Sequence, residues 1–559
     1  PAPLRSFANM FELDVHKEIM AYKLYTHRNI SRKTISALEY QIQYYAENKD
    51  YKTLKEIKSD WKNLIENATE ANCYKDGKID IIKYAIYYCK KDCEVLMKGL
   101  HRFDNDLARV YNDIGIKMRS LNHYISISSI GYDFSMRYGC FDECFELSGK
   151  PQNFILRCVS GGRCMTADNE KLIVEGKLQD FDAVSLYPSA MYIMDGVPKG
   201  KPKIIPKNIT KEQLLKYSTF FANINITRIT CKNNIPYRFG QLFNRNAEGS
   251  KIFSNEPVND FYIDKVAFQD LMEFYDFDFE IIRGYYFDQG FNNKINELIE
   301  TLFKLRLKYK KEKNPLQNTI KLLLNSIYGK SILKAMTKET KCIKRDKLEN
   351  YLIRNYNYIT EVVDEPSLNN VFIKKIKPIN NHFNLPHFGA SVLSWSKRLM
   401  NRVIGTAEQN GISIYYQDTD SMHLHEEDVT RLGIVFKKKY GKELIGEKMT
   451  QFHNDFDSFE GSVGKVYSRK FIGLGKKSYL DILVDEVGNE GYHIRLKGIP
   501  KQVILNKCRT LSITVEELYE RMYNGEVVIF NLLDGSNCFK KTKSYQQTNL
   551  QTFNRTVKF

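Results

Sequence analysis

The sequence predicts an α+β fold, and three stretches carry that prediction. Residues 1–108 read as mainly helical and strongly charged, closing on IIKYAIYYCKKDCEVLMKGL. From residue 171 the pattern turns strand-like in LIVEGKLQDFDAVSLYP. GISIYYQDTDSMHLH at 411–425 then reads as two short strands around a tight acidic turn. A chain of 559 residues is long enough for about three to five packed units. Apolar residues at 43% and aromatics at 13% supply a large core, which excludes global disorder and collagen-like classes.

The elements follow in order. A turn-rich stretch near 127–170 holds Gly161 and Gly162. Residues 291–335 read as two long helices broken at Asn314-Pro315, with Pro315 suited to the first turn of the second. A polar, Lys- and Asn-rich segment runs to about 385, followed by a helix over GASVLSWSKRLMNRVIGTAEQ; the tail alternates strands and short helices. No stretch approaches 18 consecutive apolar residues, so no spanning helix is expected. The first ten residues lack a signal-peptide pattern, and a start at Pro rather than Met hints at a fragment or processed product. Eleven cysteines without a CxxC pair suggest reduced structural thiols and an intracellular, reducing compartment. Lys and Arg number 84 against 67 Asp and Glu, a balance of +17 that points to a polyanionic partner, nucleic acid or an anionic membrane.

Two carboxylates two residues apart, Asp418 and Asp420 in YQDTDS, are costly to hold together unless a cation lies beside them. A magnesium-type ion with oxygen ligands is the natural occupant, an ordinary Asp-rich turn the plain alternative. A further carboxylate stands at Asp182 in QDFDAVSLYPSAM, where Pro188 ends strand pairing and Tyr187 is forced close to Asp182. Asp180 shares its strand face; spacing alone leaves either as the ligand, and we read Asp180 as a solvated strand residue. Lys321, Asn325 and Tyr328 fall at i, i+4 and i+7, on one helical face that suits a triphosphate and a base. Arg306 and Lys310 share a face one helix earlier, either as phosphate ligands or as part of a solvated Lys-rich surface. Separated aspartates for two metal ions, with cations to neutralise leaving phosphates, describe phosphoryl transfer.

DAVSLYPS (182–189), KLLLNSIYG (321–329) and YQDTDS (416–421) resemble, in order, motifs A, B and C of family B DNA polymerases. GKKSYLDI (475–482) resembles the later Lys-x-Tyr motif and RLKGIP (495–500) the Lys-Gly-Ile element after it. Within that family the chain looks most like the protein-primed branch of linear plasmids, Maverick/Polinton elements and related viruses. Its compact length, Gly161-Gly162-Arg163 and the motif spacing support this. Lys321 lies 139 residues after Asp182, and Asp420 lies 99 after Lys321, leaving room for the branch's two insertions, the first of which contacts the terminal protein.

The resemblance implies a right-hand polymerase behind a partial RNase-H-like exonuclease domain. Its expected parts are the exonuclease remnant (1–108), a connecting segment with the GGR motif (109–170), palm with the first insertion (171–290), fingers and second insertion (291–385), palm again (386–500) and thumb (501–559). It implies that Asp182 and Asp420 bind two Mg²⁺ or Mn²⁺ ions with Asp418 in support. Tyr187 would reject a 2′-hydroxyl, Lys321, Arg306 and Lys310 would hold the dNTP triphosphate, and Asn325, Tyr328 and Gly329 would shape the nascent pair's pocket. Gly161, Gly162, Arg163, Lys477, Tyr479 and Lys497 would contact template or primer DNA. The implied partners are DNA, dNTPs and a terminal protein primer, with no membrane and a monomeric chain.

Two departures stand out. The branch's Tyr-x-Gly-Gly is here Val159-Ser160-Gly161-Gly162, without the aromatic. Tyr88 and Asp92 resemble the third exonuclease motif, yet nothing before them supplies the remaining acids, so 3′–5′ editing is not expected. His423 and His425 are expected as packing or groove residues, HNDFDSFE (453–460) as charged surface, and KKIK (374–377), KKK (437–439) and KKTK (540–543) as DNA backbone contacts. The rival readings are a palm-type reverse transcriptase or RNA polymerase, and a decayed remnant that only binds DNA.

Overall fold

The computed structural model describes residues 8–559 apart from 16, 49–53, 235, 248, 335–336, 365–368, 378–381, 457, 460, 534–537, 542–546 and 551–552. The chain divides into two compact units, one of residues 1–130 and 301–324, the other of 131–300 and 325–559.

The first unit is mainly helical. The 33-residue helix Ile81–Asp113 is capped by Asp80, whose carboxylate accepts from the amides of Ile82 and Lys83. Its Tyr84 joins Tyr40, Tyr44, Leu64 and Ile79 in one core beside three short antiparallel strands. Tyr88 and Asp92, the exonuclease-like pair, lie on this helix. Tyr88 meets the Tyr22 hydroxyl at 2.5 Å, and Asp92 is paired with Lys17 at 3.2 Å.

The second unit is organised by an antiparallel sheet. Its strands are β1 (Cys164–Thr166), β2 (Leu172–Ala183), β3 (Tyr416–Asp418), β4 (Ser421–His425), β5 (Phe452–Asn454), β6 (Tyr467–Gly475), β7 (Ser478–Val484) and β8 (Glu490–Leu496). They lie in the order β8-β7-β6-β2-β4-β3-β1, with β5 also on β2. Alternation along β2 sends Phe181 and Ala183 to one face and Asp180 and Asp182 to the other. The apolar face packs with Met422 and Leu424 on Met400, Val403, Ile404 and Ala407 of the helix Pro386–Gln409. Pro386 begins that helix, where a missing amide proton costs nothing.

Several elements differ from expectation. β2 stops at Ala183, because Ser185 adopts a left-handed conformation (φ 50°) and the helix Leu186–Ile193 starts at once, with Pro188 in its first turn. The stretch read as turn-rich contains two helices, Ile127–Arg137 and Gly149–Cys158; Pro151 is tolerated because it falls in a first turn. The helix Leu316–Ser326 ends before Tyr328, which sits in the following turn. Ile504, Leu518, Tyr519 and Phe530 share one core with Ile472, Leu480 and Ile494 of β6–β8, so no core boundary falls at residue 500.

Between the motifs the chain adds two small sheets. The strands Lys203–Ile204, Thr219–Cys231, Val258–Asp264 and Tyr275–Phe287 pair in one, with the helix Lys265–Phe274 over it. Lys338–Lys344, Asn370–Ile376 and Ile359–Val363 form the other. KKIK contributes to this second sheet; Thr542 and Lys543 of KKTK lie outside the described residues. Among the described residues no helix is long and apolar enough to cross a membrane.

Candidate active site

The acidic turn is built by a hairpin of minimal length. Asp418 of β3 pairs with Ser421 of β4, leaving Thr419 and Asp420 to reverse the chain, and Thr419 takes a φ of 65° to do so. Ser421 in turn pairs with Asp182, and the Ala183 amide donates to the Asp420 carbonyl at 2.9 Å. Two carboxylates 238 positions apart are thereby held by backbone hydrogen bonds on neighbouring strands. The Gly161–Gly162 segment lies against the turn, since the Thr419 amide donates to the Arg163 carbonyl at 2.9 Å. A Cβ on Gly162 would meet the Thr419 side chain at 2.7 Å, whereas one on Gly161 would meet open space. Gly162 is required for packing; Gly161 is free to let a ligand approach the backbone.

The three aspartates have different surroundings. Asp418 accepts from Lys477 at 2.7 Å, the Cys164 thiol at 3.3 Å and the Tyr416 hydroxyl at 3.4 Å. Burial, then the charges of Asp420, Asp180 and Asp455, push Asp182 up to about 8. Burial raises Asp420 as well, with Asp418 and Asp180 adding to it. Among the described residues no protein donor reaches the Asp182 carboxylate. Like charges crowded together, Asp182 without any donor, are a poor arrangement unless a cation joins them. Oxygen-only donors suit Mg²⁺ or Mn²⁺, which take one or two carboxylates and complete their shells with water and phosphate oxygens. Among the described residues no group of three His, Cys, Asp or Glu side chains placed to hold a metal ion occurs.

Asp420, Asp418 and Asp180 border a cavity of about 690 Å³, together with Lys477, His493 and Arg495. Asp180 is a correction: its side chain is largely buried, 14% exposed, rather than solvated, and it pairs with His423 of β4. His423 is fully buried, with Nε2 3.2 Å from Asp481 and Nδ1 3.7 Å from Asp180. Burial opposes its charge, but the two carboxylates outweigh that and raise its pKa. It is the packing residue expected, with a polar role added. HNDFDSFE is a second correction only in part: Asp455 and Ser458 are exposed as expected of a charged surface, but the segment starts in β5, and the Asp455 amide donates to the Asp180 carbonyl at 2.9 Å, bringing an acid to the site.

Arg163 is a third. Its side chain is 5% exposed and donates to Gln417, the carbonyls of Phe239 and Gly240, and Asn401, so it braces β3 from inside rather than reaching toward DNA. Tyr479 is also largely interior, packed on Tyr416 with ring centroids 4.7 Å apart, though it borders the cavity. Lys497 is exposed. Tyr187 stacks on Tyr328 at 5.0 Å, joining the first and second motifs, while Asn325 is exposed beside them in sequence. Arg306, Lys310 and Lys321 belong to the first unit, where Lys310 and Lys321 are exposed and Arg306 is half-buried.

An antiparallel sheet with a two-residue acidic hairpin beside a strand-end aspartate defines a right-hand polymerase palm. The chain belongs to the organellar and viral type B DNA polymerases, whose family model matches residues 1–410. A DNA polymerase of Kluyveromyces lactis is 24% identical over 484 residues, 83% of this chain and 43% of that protein. A probable DNA polymerase of Neurospora intermedia is 23% identical over 554 residues, 95% of this chain and 51% of that protein. The chain thus spans about half the length of these curated relatives. Phi29 DNA polymerase complexed with primer-template DNA shares the fold at a TM-score of 0.60 and 14% identity, over all of this chain and 78% of that one. Its ternary complex with incoming nucleotides gives 0.59 and 16%.

Proposed function

We propose that the chain is a DNA-directed DNA polymerase that adds dNTPs to a primer 3′-hydroxyl on a DNA template and releases pyrophosphate. The observation carrying this reading is the backbone-fixed pairing of Asp182 and Asp420 on β2 and the acidic hairpin. Asp182 and Asp420 are the residues that hold the divalent cations, two in number. Bound there, such ions supply charge stabilisation of the attacking and leaving oxygens. Asp418 orients Lys477, and through the Tyr416 hydroxyl it steadies the Lys477 amide as well. Lys321, with Arg306 and Lys310, takes the triphosphate.

Initiation from a terminal protein hydroxyl, in the replication of a linear plasmid, mobile element or viral genome, fits the two inserted sheets and the phi29-like fold. The test is extension of a labelled primer on a DNA template with magnesium and dNTPs. Absence of extension despite tight DNA binding would leave only a binding remnant.

Tyr187 offers a finer check. Held by Tyr328 and close to Asp182 in sequence, its ring has little freedom to yield to a 2′-hydroxyl. Tyr187→Val is expected to raise the rNTP:dNTP ratio of kcat/KM by about 10- to 100-fold, the scale of losing one steric contact in a pocket. Unchanged discrimination in single-nucleotide addition would remove Tyr187 from that role.

A further inference from the structure

The second unit contains another cavity, of about 850 Å³, with a strongly positive wall. Arg157 and Ser160 come from the segment entering the glycine pair, Arg245 and Lys251 from the hairpin Leu242–Arg245/Lys251–Ser254, and Lys334 from beyond Ile332. Among the described lining residues Asp260 is the one acid, and Asn223 already donates to it at 2.7 Å.

Lys251 is the unusual member. Its ammonium donates to the Ser160 hydroxyl and lies 4.3 Å from the centre of the Phe243 ring, with no carboxylate partner among the described residues. Burial, then the charges of Lys397, Arg245 and Lys476, push it down to about 7. A half-buried cation surrounded by cations is electrostatically incomplete, and the missing group is an anion.

The location narrows the choice of anion. Ser160 stands two residues before Gly162, which packs on Thr419 of the acidic hairpin. Two residues of extended chain reach at most about 7 Å. The Lys251 ammonium, bonded to Ser160, thus lies next to the open face of Gly161 and close to the acidic hairpin. Phe243 and Tyr262 line the same wall, the first beneath Lys251 and the second beneath Arg157.

We propose that this pocket, centred on Lys251, holds a backbone phosphate of the DNA strand that crosses the glycine pair; the proposal rests on the polymerase reading above. Primer-template binding would be measured by fluorescence anisotropy across a salt series, without divalent cations or dNTPs, for the wild type and for Lys251→Arg, Lys251→Gln and Lys251→Ala. Glutamine retains a donor for Ser160 but no charge, which separates the phosphate contact from the internal hydrogen bond. Expected are a salt slope lower by about one and binding weaker by about tenfold for both Gln and Ala, with Arg near wild type.

A scan with neutral methylphosphonate linkages should weaken wild-type binding at one phosphate that the Gln variant ignores. The strand carrying that linkage identifies the source, template or primer. If Gln keeps the wild-type slope, or no linkage distinguishes it from wild type, the proposal is overturned while a wild type that still binds and extends primers leaves the polymerase reading intact. A wild type that binds no DNA overturns both.

Discussion

Asp420→Asn is expected to reduce primer extension by at least about 10³-fold, equivalent to about 4 kcal/mol of transition-state stabilisation, while primer-template affinity without divalent cations stays within about twofold. The contrast follows from how the residue is held. The Asp420 carbonyl, not its carboxylate, accepts from the Ala183 amide, and the reversal at Thr419 is a backbone conformation. An isosteric amide therefore leaves the hairpin in place and removes only the charge. Without divalent cations that charge is a burden, since Asp418 and Asp180 both disfavour it and it adds to the crowding on Asp182. The variant should accordingly melt at the same temperature as the wild type or higher in EDTA, the signature of stability yielded for function. Asp182→Asn should behave alike, and the double variant should be scarcely slower than either single one, because the two act as a unit. Single-turnover extension beside thermal melting decides it. Activity within tenfold of wild type would remove Asp420 from the metal site; lost activity with a collapsed melting temperature would make it a structural residue.

The parts of this site legible in the sequence are those whose determinants are local. The acidic hairpin is written in six consecutive residues, 416–421, and the helix Pro386–Gln409 in its own apolar pattern. Asp182 stood out because a strand runs into an unusual Ser-Leu-Tyr-Pro, although the exact end of the strand depended on one left-handed residue, Ser185. What escaped was created by pairing across distance. Asp455 gains its place only because β5 hydrogen-bonds to the far half of β2. Asp180 looked solvated because its environment is made by His423 and, beyond it, Asp481. Arg163 looked like a DNA contact because its acceptors, at 239, 240, 401 and 417, are remote in the chain. Charge on a residue says that it needs a partner; it does not say whether the partner is inside or outside.

The same distinction governs Arg398, which carries the second large expectation. Arg398→Ala should destabilise the second unit by about 3–5 kcal/mol, the usual consequence of leaving one member of a buried ion pair alone. Arg398 and Asp270 have side chains 7% and 1% exposed and meet at 2.5 Å. The guanidinium also donates to the Val266 carbonyl and Gln269, and it lies 4.7 Å from the Trp395 ring centre. Burial raises the pKa of Asp270, and Arg398 and Asn401 oppose that rise. Removing the arginine strips away the main opposition, so the carboxyl must either protonate or remain charged in the interior. Asn401 bonds both Asp270 and Arg163, tying the helices 265–274 and 386–409 to the strand that carries Asp418. Damage should therefore spread to the catalytic hairpin, lowering activity as well as melting temperature. Arg398→Met combined with Asp270→Leu should recover most of the lost stability, because two apolar chains of similar volume need no compensation. Denaturant melts of the two single variants and the pair measure the coupling directly. A loss below about 1 kcal/mol for Arg398→Ala would mean that water reaches Asp270, and that the pair resembles an exposed salt bridge despite its place in the fold.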